Sequence, residues 1–466
     1  MPSVSAKFSV LDRRAFYLLA VAAQVCAACA GASEPTSVGA AAGSNAEGGR
    51  EDLETGRGGA SGNAGTDRPA GGLAGGGRAG AAELDGDGGT AGRGDVEFAG
   101  ASGAPIAGFV PAPHAPFPLV TDHGGPLIKN IELVPVYFGE DPLRADLERF
   151  NRWIVGSNYW QQTGAEYGVH PGTLLPAVQF ESVTAASISD AEIASWIDAR
   201  VADGGLPKPN ANTVYALFYQ AGTTITSGTA RSCREFGALH KSVSLANPTF
   251  TGNVPYAIIP RCSYSPGDEL MIATNVASHE YMEAATCPLP LVDGTWFMDN
   301  SSGPLEAWWG LSGPAVADLC LNQSYDVIDG FAVNDIWSNV AAQAGNNPCQ
   351  PSDPKHPFFS VSAEETIYHA QPGTTLTIKA RAWSNLPTED WSLGINWGWE
   401  PDRDFDGHAV LSQETVNNGD EVTATVTIPV NPPIVDGRSV YRFTIDSIDP
   451  INPNFSHPWP FLVIVP

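Results

Sequence analysis

The chain has 466 residues and a formal net charge of −27, because 51 acidic residues outnumber 24 basic ones. Such a charge argues against nucleic acid and anionic lipid surfaces as electrostatic partners, since both would repel the chain. The length exceeds what one small hydrophobic core requires, so we expect several segments of different character.

Residues 1–32 have the composition of an export signal. A basic start that includes Arg13 and Arg14 precedes the apolar run AFYLLAVAA and a series of small residues, which is the order of a secretory signal peptide. The adjacent arginines also fit a twin-arginine signal. Cys29 follows two alanines, as in a lipoprotein cleavage site, so a lipid anchor at Cys29 and cleavage a few residues further on both stay open. Either predicts an extracytoplasmic protein, on the cell surface or secreted.

Residues 33–105 consist almost entirely of Gly, Ala, Ser, Asp, Glu and Arg, with GGLAGGGRAGAA at the centre. Such a segment has too few large apolar residues to bury a core, so we expect a disordered tether. A flexible tether would hold a folded module away from a membrane, which favours anchoring at Cys29.

Residues 106–352 predict a domain that mixes α and β elements. Its first elements are a strand at 131–138, a helix at 143–155, a second helix that begins at 189 and ends before 204, and a strand at 214–219. The first helix is predicted by apolar residues at helical spacing. The second begins with a capping box, in which Ser189 and Glu192 would satisfy the first backbone N–H groups reciprocally.

A histidine and two glutamates, His279, Glu280 and Glu283, stand close together in the run ATNVASHEYMEAATCP. Small and apolar neighbours predict a partly buried helix with Asp268 as its N-cap. Because helical residues four apart have Cβ atoms about 5–6 Å apart, His279 and Glu283 could converge on one zinc ion with Glu280 beside it. This is the layout of the HExxH zinc hydrolases with glutamate for the second histidine. The alternative is an amphipathic helix whose charged residues face water.

Five short blocks occur in order: HGGPL at 123–127, IELVPVYFG after it, ASHEYMEAAT at 277–286, VADLC at 316–320 and IWSN at 336–339. Together they resemble the phosphate-induced-protein or EXORDIUM-like family over about 120–350. The resemblance implies an extracellular or cell-surface protein with a zincin-like helix. Two positions depart from the family's pattern, since Cys287 stands where aspartate is usual and Ala315 replaces a glutamate.

A catalytic zinc site usually has three protein ligands and one exchangeable position. Asp318, in the VADLC block that resembles the family, is the third ligand we expect, with Glu306 and His240 as its rivals. Asp318 could equally cap a helix or form an ion pair. In an active site of this kind, Glu280 would be the general base that accepts a proton from the attacking water.

Removing Cys26 and Cys29 with the signal and anchor leaves five cysteines, most of which should pair in an oxidising compartment. Five cysteines allow 15 ways to form two bridges, so a choice rests on sequence proximity and on the family blocks. On that basis the favoured pairs are Cys233–Cys262 and Cys320–Cys349, which leaves Cys287 outside both.

A composition shift near 350–357 marks a second boundary, and residues 357–466 predict an all-β domain. Residues alternate at the strand period at 375–382, 421–428 and 440–445, with Pro and Gly in the connections. This pattern indicates a small β-sandwich of the immunoglobulin-like type. The predicted fold class is therefore an α+β zincin-like domain followed by an all-β immunoglobulin-like sandwich.

Within the second domain, Asp402, Asp404 and Asp406 have the DxDxDG spacing of a calcium loop. Gln413, however, stands at the twelfth position, where a bidentate glutamate is expected. A polar turn between strands is therefore favoured over calcium binding.

Two functional hypotheses follow. The first is an exported zinc-dependent hydrolase tethered at the cell surface, with a peptide as the favoured substrate, His279, Glu283 and Asp318 as zinc ligands and Glu280 as general base. The second is a non-enzymatic protein that binds a cell-envelope or extracellular-matrix polymer, in which the same residues hold a structural metal or none. No partner protein is implied by either hypothesis.

Overall fold

The computed structural model describes residues 108–466 except 183, 249, 291, 299–302, 322–324, 398–407, 434–437 and 451–455. The predicted signal segment with Cys29, the predicted tether, and Asp402, Asp404 and Asp406 of the calcium motif lie outside the described residues. The described residues belong to one compact unit in which strands are more abundant than helices. Among them, none of the helices has both the length and the apolar character needed to cross a membrane.

The first part of the described chain contains fifteen short or medium strands: β1 (Thr121–Asp122), β2 (Asn130–Phe138), β3 (His170–Leu174), β4 (Val178–Phe180), β5 (Ser187–Ser189), β6 (Thr213–Phe218), β7 (Thr224–Ser227), β8 (Ala230–Arg231), β9 (Leu239–Asn247), β10 (Phe250–Ile259), β11 (Trp296–Phe297), β12 (Asp326–Ile328), β13 (Phe331–Val333), β14 (Ile336–Trp337) and β15 (Cys349–Gln350). Its helices are α1 (Arg144–Ile154), α2 (Asn158–Gly164), α3 (Asp190–Ala202), α4 (Glu269–Thr286), α5 (Glu306–Ser312) and α6 (Asn339–Gln343). Two 3-10 turns occupy Ala165–Tyr167 and Asp318–Cys320.

A six-stranded mixed sheet forms the centre of this part. Its strand order is β3-β2-β6-β10-β9, and β4 also pairs with β2. The pairings of β2 with β3, β4 and β6, and of β6 with β10, are parallel, whereas β9 runs antiparallel to β10. Parallel strands of this kind are buried on both faces, and every residue of β6 is buried.

The elements predicted ahead of the motif are confirmed. The predicted strands at 131–138 and 214–219 are β2 and β6, and the predicted helix at 143–155 is α1. In α3, the Ser189 side chain accepts from the Glu192 backbone while the Glu192 carboxylate accepts from the Ser189 backbone, so the capping box forms as predicted.

The described residues of the second part form nine strands: β16 (Phe359–Ala363), β17 (Ile367–His369), β18 (Thr375–Ser384), β19 (Trp391–Trp397), β20 (His408–Leu411), β21 (Thr415–Val416), β22 (Glu421–Thr427), β23 (Ser439–Ile448) and β24 (Ser456–Val465). They form two sheets, β16-β18-β22-β20 and β17-β24-β23-β19-β21, in which only β17 and β24 pair in parallel. The strands predicted at 375–382, 421–428 and 440–445 correspond to β18, β22 and β23. The predicted two-sheet β-sandwich is therefore present.

An aromatic cluster joins the two parts. The Phe117 ring centroid lies 6.0 Å from that of Trp308 and 5.9 Å from that of Trp337, both in the first part. It also lies 5.8 Å from the ring of Trp383 and 5.7 Å from that of Trp459, both in the sandwich. Hydrophobic packing therefore continues across the boundary near 350–357.

Both favoured disulfides are present. Cys233 pairs with Cys262, and Cys320 pairs with Cys349, with a sequence separation of 29 in each case. Cys287 belongs to neither bridge and lies in an apolar cluster with Phe297 and Ala315. Two disulfides are what an oxidising compartment favours.

Candidate metal site

Helix α4 carries the HExxE motif and follows strand β10 after the connecting segment 260–268. Asp268 occupies the predicted N-cap position, but its carboxylate makes no hydrogen bond to the first helical turn. It accepts instead from the backbone N–H groups of Tyr264, at 3.0 Å, and Ser265, at 2.7 Å. Asp268 therefore orders the turn that enters the helix, and α4 ends where Pro288 follows Cys287.

Helix α4 is buried on all sides rather than on one face. From Ile272 to Thr286 only Asn275 is not buried, and the helix contacts β9 and β10 as well as β13 and α1. Its alanine and serine residues let these neighbours approach closely. The motif therefore has no water-facing side, and the alternative of a solvated amphipathic helix is wrong.

Three of the residues selected from the sequence lie together. The Nε2 atom of His279 is 3.3 Å from Oε1 of Glu283 and 3.5 Å from Oδ1 of Asp318. The backbone N–H of Asp318 donates to the same Oε1 atom of Glu283 at 3.2 Å. One nitrogen and two carboxylate oxygens thus converge within the distances that a single metal ion can span.

Asp318 is held by the turn that contains it and by its neighbours. It begins the 3-10 turn that ends at Cys320, which is bonded to Cys349. Its Oδ2 atom accepts from the backbone N–H of Ala315 at 3.3 Å. Gly313, with φ at 131°, passes so close to this carboxylate that an added Cβ would collide with it. The disulfide and this glycine together allow Asp318 to reach the helix.

His240, named as a rival third ligand, lies in the same cluster. From strand β9 its Nδ1 atom is 3.3 Å from Oε2 of Glu280 and 3.2 Å from Oε2 of Glu283. Its Nε2 atom lies 3.3 Å from the carbonyl oxygen of Cys287. His240, Glu280 and Glu283 form a second group of ligand atoms that shares only Glu283 with the first.

The other rival belongs to neither group. Glu306, in helix α5, has a carboxylate oxygen 3.9 Å from Nη2 of Arg438. The sequence presented His240 and Glu306 as equivalent candidates, although strand alternation placed His240 opposite the apolar residues of β9. Residues on that face of a strand are expected to face water, so the sequence contained no signal for the contact of His240 with helix α4.

Burial makes the charges of this cluster depend on one another. As whole residues, Glu283, Asp318, Glu280, His279 and His240 expose 0, 1, 3, 4 and 4% of their surface. Burial and then the neighbouring Glu283 carboxylate raise the pKa of Asp318 to about 7, although His279 opposes the rise. Burial also raises the pKa of Glu283, but His279 and His240 outweigh it and hold that pKa well below its usual range.

The two imidazoles shift in the direction that complements the carboxylates. Burial lowers the pKa of His279, but Glu283, Glu280 and Asp318 raise it overall to well above its usual value. Burial also lowers the pKa of His240, but its contacts with the Cys287 carbonyl, Glu280 and Glu283 raise it overall. Three buried carboxylates therefore require compensating positive charge, from protons or from a metal ion.

The unsatisfied atoms of the cluster fit a metal ion. Oε2 of Glu283 and Nδ1 of His279 are buried without a hydrogen-bond partner among the described residues. An orphaned buried carboxylate oxygen is costly unless a cation satisfies it. Nitrogen from histidine with carboxylate oxygens is a ligand set that suits zinc. Only Nδ1 of His279 departs from the usual pattern, in which that nitrogen donates to a second residue.

No protein-family model and no curated protein matches the chain. Among solved structures, it is similar to domains 4 and 5 of the S-layer protein SbsC, with 15% identity over 24% of this chain and 53% of that one at a TM-score of 0.17. It is similar to the periplasmic chaperone SfaE, with 12% identity over 23% of this chain and 57% of that one at a TM-score of 0.19. It is also similar to OgpA from Akkermansia muciniphila, with 8% identity over 72% of this chain and 94% of that one at a TM-score of 0.18. The matches span little more than half the length of the first two structures, and TM-scores this low carry no argument.

Proposed function

We propose that the chain is an exported zinc-dependent hydrolase that is held at the cell surface and cleaves peptide bonds. The observation that carries the proposal is the convergence of His279, Glu283 and Asp318, with the Glu280 carboxylate beside them on the same helix. The two disulfides agree with export.

The arrangement around α4 supports a zincin-like module, as the EXORDIUM-like resemblance implies. The motif helix follows the last strand of a mixed sheet, and β9, the antiparallel strand at the edge of that sheet, contributes His240 to the cluster. An edge strand can align an extended peptide by backbone hydrogen bonds. A peptide paired to β9 would run past the cluster, which favours a peptide over a sugar polymer as substrate.

The chemistry assigned to the site divides among its residues. When bound, zinc would supply Lewis-acid polarisation of the scissile carbonyl and lower the pKa of water in the site. His279, Glu283 and Asp318 would hold the ion. Glu280 would accept a proton from the attacking water and return it to the leaving amine, as a general base that becomes a general acid.

The burial of the cluster sets a condition on this activity. Because Glu280 exposes 3% of its surface and Glu283 none, a substrate carbonyl reaches the site only after local opening. The same burial supports the second candidate, a non-enzymatic envelope-binding protein in which the ion is structural, since structural zinc sites are closed to solvent and substrate.

Zinc content and peptide hydrolysis, measured on the full exported chain, test the proposal. At limiting zinc we expect about one ion per chain and cleavage of a mixed peptide library. Glu280→Gln should keep the zinc and abolish cleavage, whereas His279→Ala should lose both. Glu269→Gln, in the first turn of the same helix, is the matched control and should change neither. Zinc without cleavage in any variant would favour the structural candidate, and absence of zinc would overturn the hydrolase and leave only an envelope-binding protein without a metal.

A further inference from the structure

We propose that the chain has a second metal position, formed by His240, Glu280 and Glu283, and that an ion bound there inhibits hydrolysis. This inference rests on the proposed function, because the inhibited residue is its general base. The position involves a different set of atoms from the first and requires no movement of the helix.

The two groups meet at opposite oxygens of one carboxylate. Oε1 of Glu283 faces Nε2 of His279 at 3.3 Å, whereas Oε2 of Glu283 faces Nδ1 of His240 at 3.2 Å. Glu280 completes the second group through its Oε2 atom, 3.3 Å from the same Nδ1. A carboxylate can bridge two ions in this way, so Glu283 can serve both positions at once.

His240 hydrogen-bonds to the Cys287 carbonyl at the end of helix α4. This contact favours His240 as a metal ligand over His240 as a neutral core histidine. The Cys287 carbonyl can only accept, so the Nε2 atom of His240, 3.3 Å away, carries a hydrogen. In a neutral ring, Nδ1 then directs its lone pair at two carboxylate oxygens, which repel it. A cation between them removes that repulsion, and metal-bound histidines commonly donate their other N–H to a backbone carbonyl.

A buried unsatisfied atom supports the position independently. Oε2 of Glu283 is buried and accepts no hydrogen bond among the described residues, although it faces His240. One imidazole and two carboxylates form the kind of set that binds zinc. Because Glu283 is shared, the second ion would meet a carboxylate whose charge the first has already partly neutralised, and it should bind more weakly.

Occupancy of the second position has a chemical consequence for Glu280. A carboxylate that coordinates an ion shares its negative charge with that ion, so it becomes a much weaker base toward the attacking water. The first ion should therefore permit hydrolysis, and the second should stop it. The free zinc concentration would then regulate the enzyme through a site built into its own general base.

The test is a zinc titration of the full chain after removal of bound metal with a chelator. Bound zinc is measured by equilibrium dialysis and elemental analysis, and cleavage is measured in parallel. The expected result is saturation at two zinc ions, the second bound at least about 10-fold more weakly, with cleavage highest at one and falling as the second binds. Saturation of the wild-type chain at one ion would overturn the second position, whatever any variant does.

The His240→Gln variant identifies the ligand. Glutamine keeps an amide N–H that can reach the Cys287 carbonyl but removes the Nδ1 ligand, so the variant should bind one zinc ion and lose the inhibition. Retention of both zinc ions by His240→Gln would overturn the assignment of His240 as a ligand. The short contacts of His240 with Glu280 and Glu283 would then be ion pairs of a protonated imidazole. His457→Gln is a matched control, since His457 is also buried and bonded through Nδ1 to a carbonyl, that of Phe359 at 2.7 Å; it should retain two zinc ions.

The two proposals fail in different ways. One zinc ion with cleavage that depends on Glu280 would remove the second position and keep the hydrolase. Two zinc ions without cleavage would keep the second position as a metal site and remove both the hydrolase and the inhibition.

Discussion

The two parts of the molecule both bury histidine, with opposite results. In the sandwich, burial lowers the pKa of His457 to about 4, and its Nδ1–H donates to the Phe359 carbonyl at 2.7 Å. In the first part, burial also lowers the pKa values of His240 and His279, yet neighbouring carboxylates raise both overall. The same residue type at similar burial is thus neutral in one part and favours positive charge in the other.

The difference shows that burial alone does not identify a functional histidine. His457 packs against the rings of Phe358 and Phe359, at centroid distances of 4.4 and 5.2 Å. His240 and His279 instead face three carboxylates of a helix and a turn. A concentration of buried like charges is costly in a structure that has only to be stable, so its presence supports a ligand or a reaction.

Among the buried groups of the two parts, Glu283 should give the largest effect when it is replaced by glutamine. The substitution keeps the shape but removes the charge shared by both proposed zinc positions. Replacing a residue that only hydrogen-bonds to a metal ligand lowers metal affinity by about 10–100-fold. Replacing the ligand Glu283 itself should therefore lower zinc affinity by more than about 100-fold at the first position and eliminate binding at the second. Dialysis against buffered zinc measures both, and Glu269→Gln is the matched control. Unchanged zinc content would mean that the cluster is only an ion-pair network.

A smaller effect is expected from removing the disulfide beside the site. Because both bridges have a sequence separation of 29, Cys320→Ala/Cys349→Ala and Cys233→Ala/Cys262→Ala should each lower the free energy of unfolding by about 3–4 kcal/mol. Only the Cys320→Ala/Cys349→Ala variant should also bind zinc more weakly, by roughly 10-fold, since Cys320 is in the same turn as Asp318.

Urea unfolding and zinc titration of the two double variants provide the comparison. The Cys233–Cys262 variant is the control for loss of a covalent loop as such. Equal zinc affinities in the two variants would contradict the assignment of Asp318 as a ligand held by its turn.

The smallest expected effect is the contribution of His457 to the free energy of unfolding at acidic pH. The folded pKa of His457 is about 4, below the ordinary value of 6.5, so between these pH values the unfolded chain binds more protons than the folded one. The free energy of unfolding should therefore fall as the pH falls through this window, by about 1.4 kcal/mol per unit and roughly 3 kcal/mol in all.

Urea unfolding at pH 7, 6, 5 and 4 measures this contribution as a difference between the wild-type chain and His457→Gln. The variant should lose stability less steeply on acidification. His408→Gln, at an exposed position of the same sandwich, should follow the wild-type chain. Parallel pH profiles for the wild-type chain and His457→Gln would show that His457 is not kept neutral by burial.

Local patterns in the sequence were sufficient for most of the regular elements. Helix α1 and strand β22 follow from the spacing of their apolar residues, and α3 follows from its capping box at Ser189 and Glu192. The placement of His279 and Glu283 on one helical face is equally local, because a helix fixes the separation of residues four apart. Asp318 required more, since it came from a resemblance and not from spacing.

His240 illustrates what local patterns do not contain. It precedes Glu280 by 40 residues and reaches that side chain only because β9 packs beside α4. The aromatic cluster around Phe117 is similar, since it unites rings from both parts of the described chain that no periodicity relates. Such contacts depend on how elements pack, which the spacing of residues within one element leaves undetermined.

Helix and strand positions, and the helical face that carries His279 and Glu283, follow from backbone geometry over a few residues and can therefore be predicted from local sequence. The burial of that face, the approach of Asp318 past Gly313 and the contact of His240 with the opposite oxygen of Glu283 arise from packing between elements. These features cannot be predicted locally, because desolvation and charge pairing act between residues that are distant in the chain until folding brings them within a few ångströms.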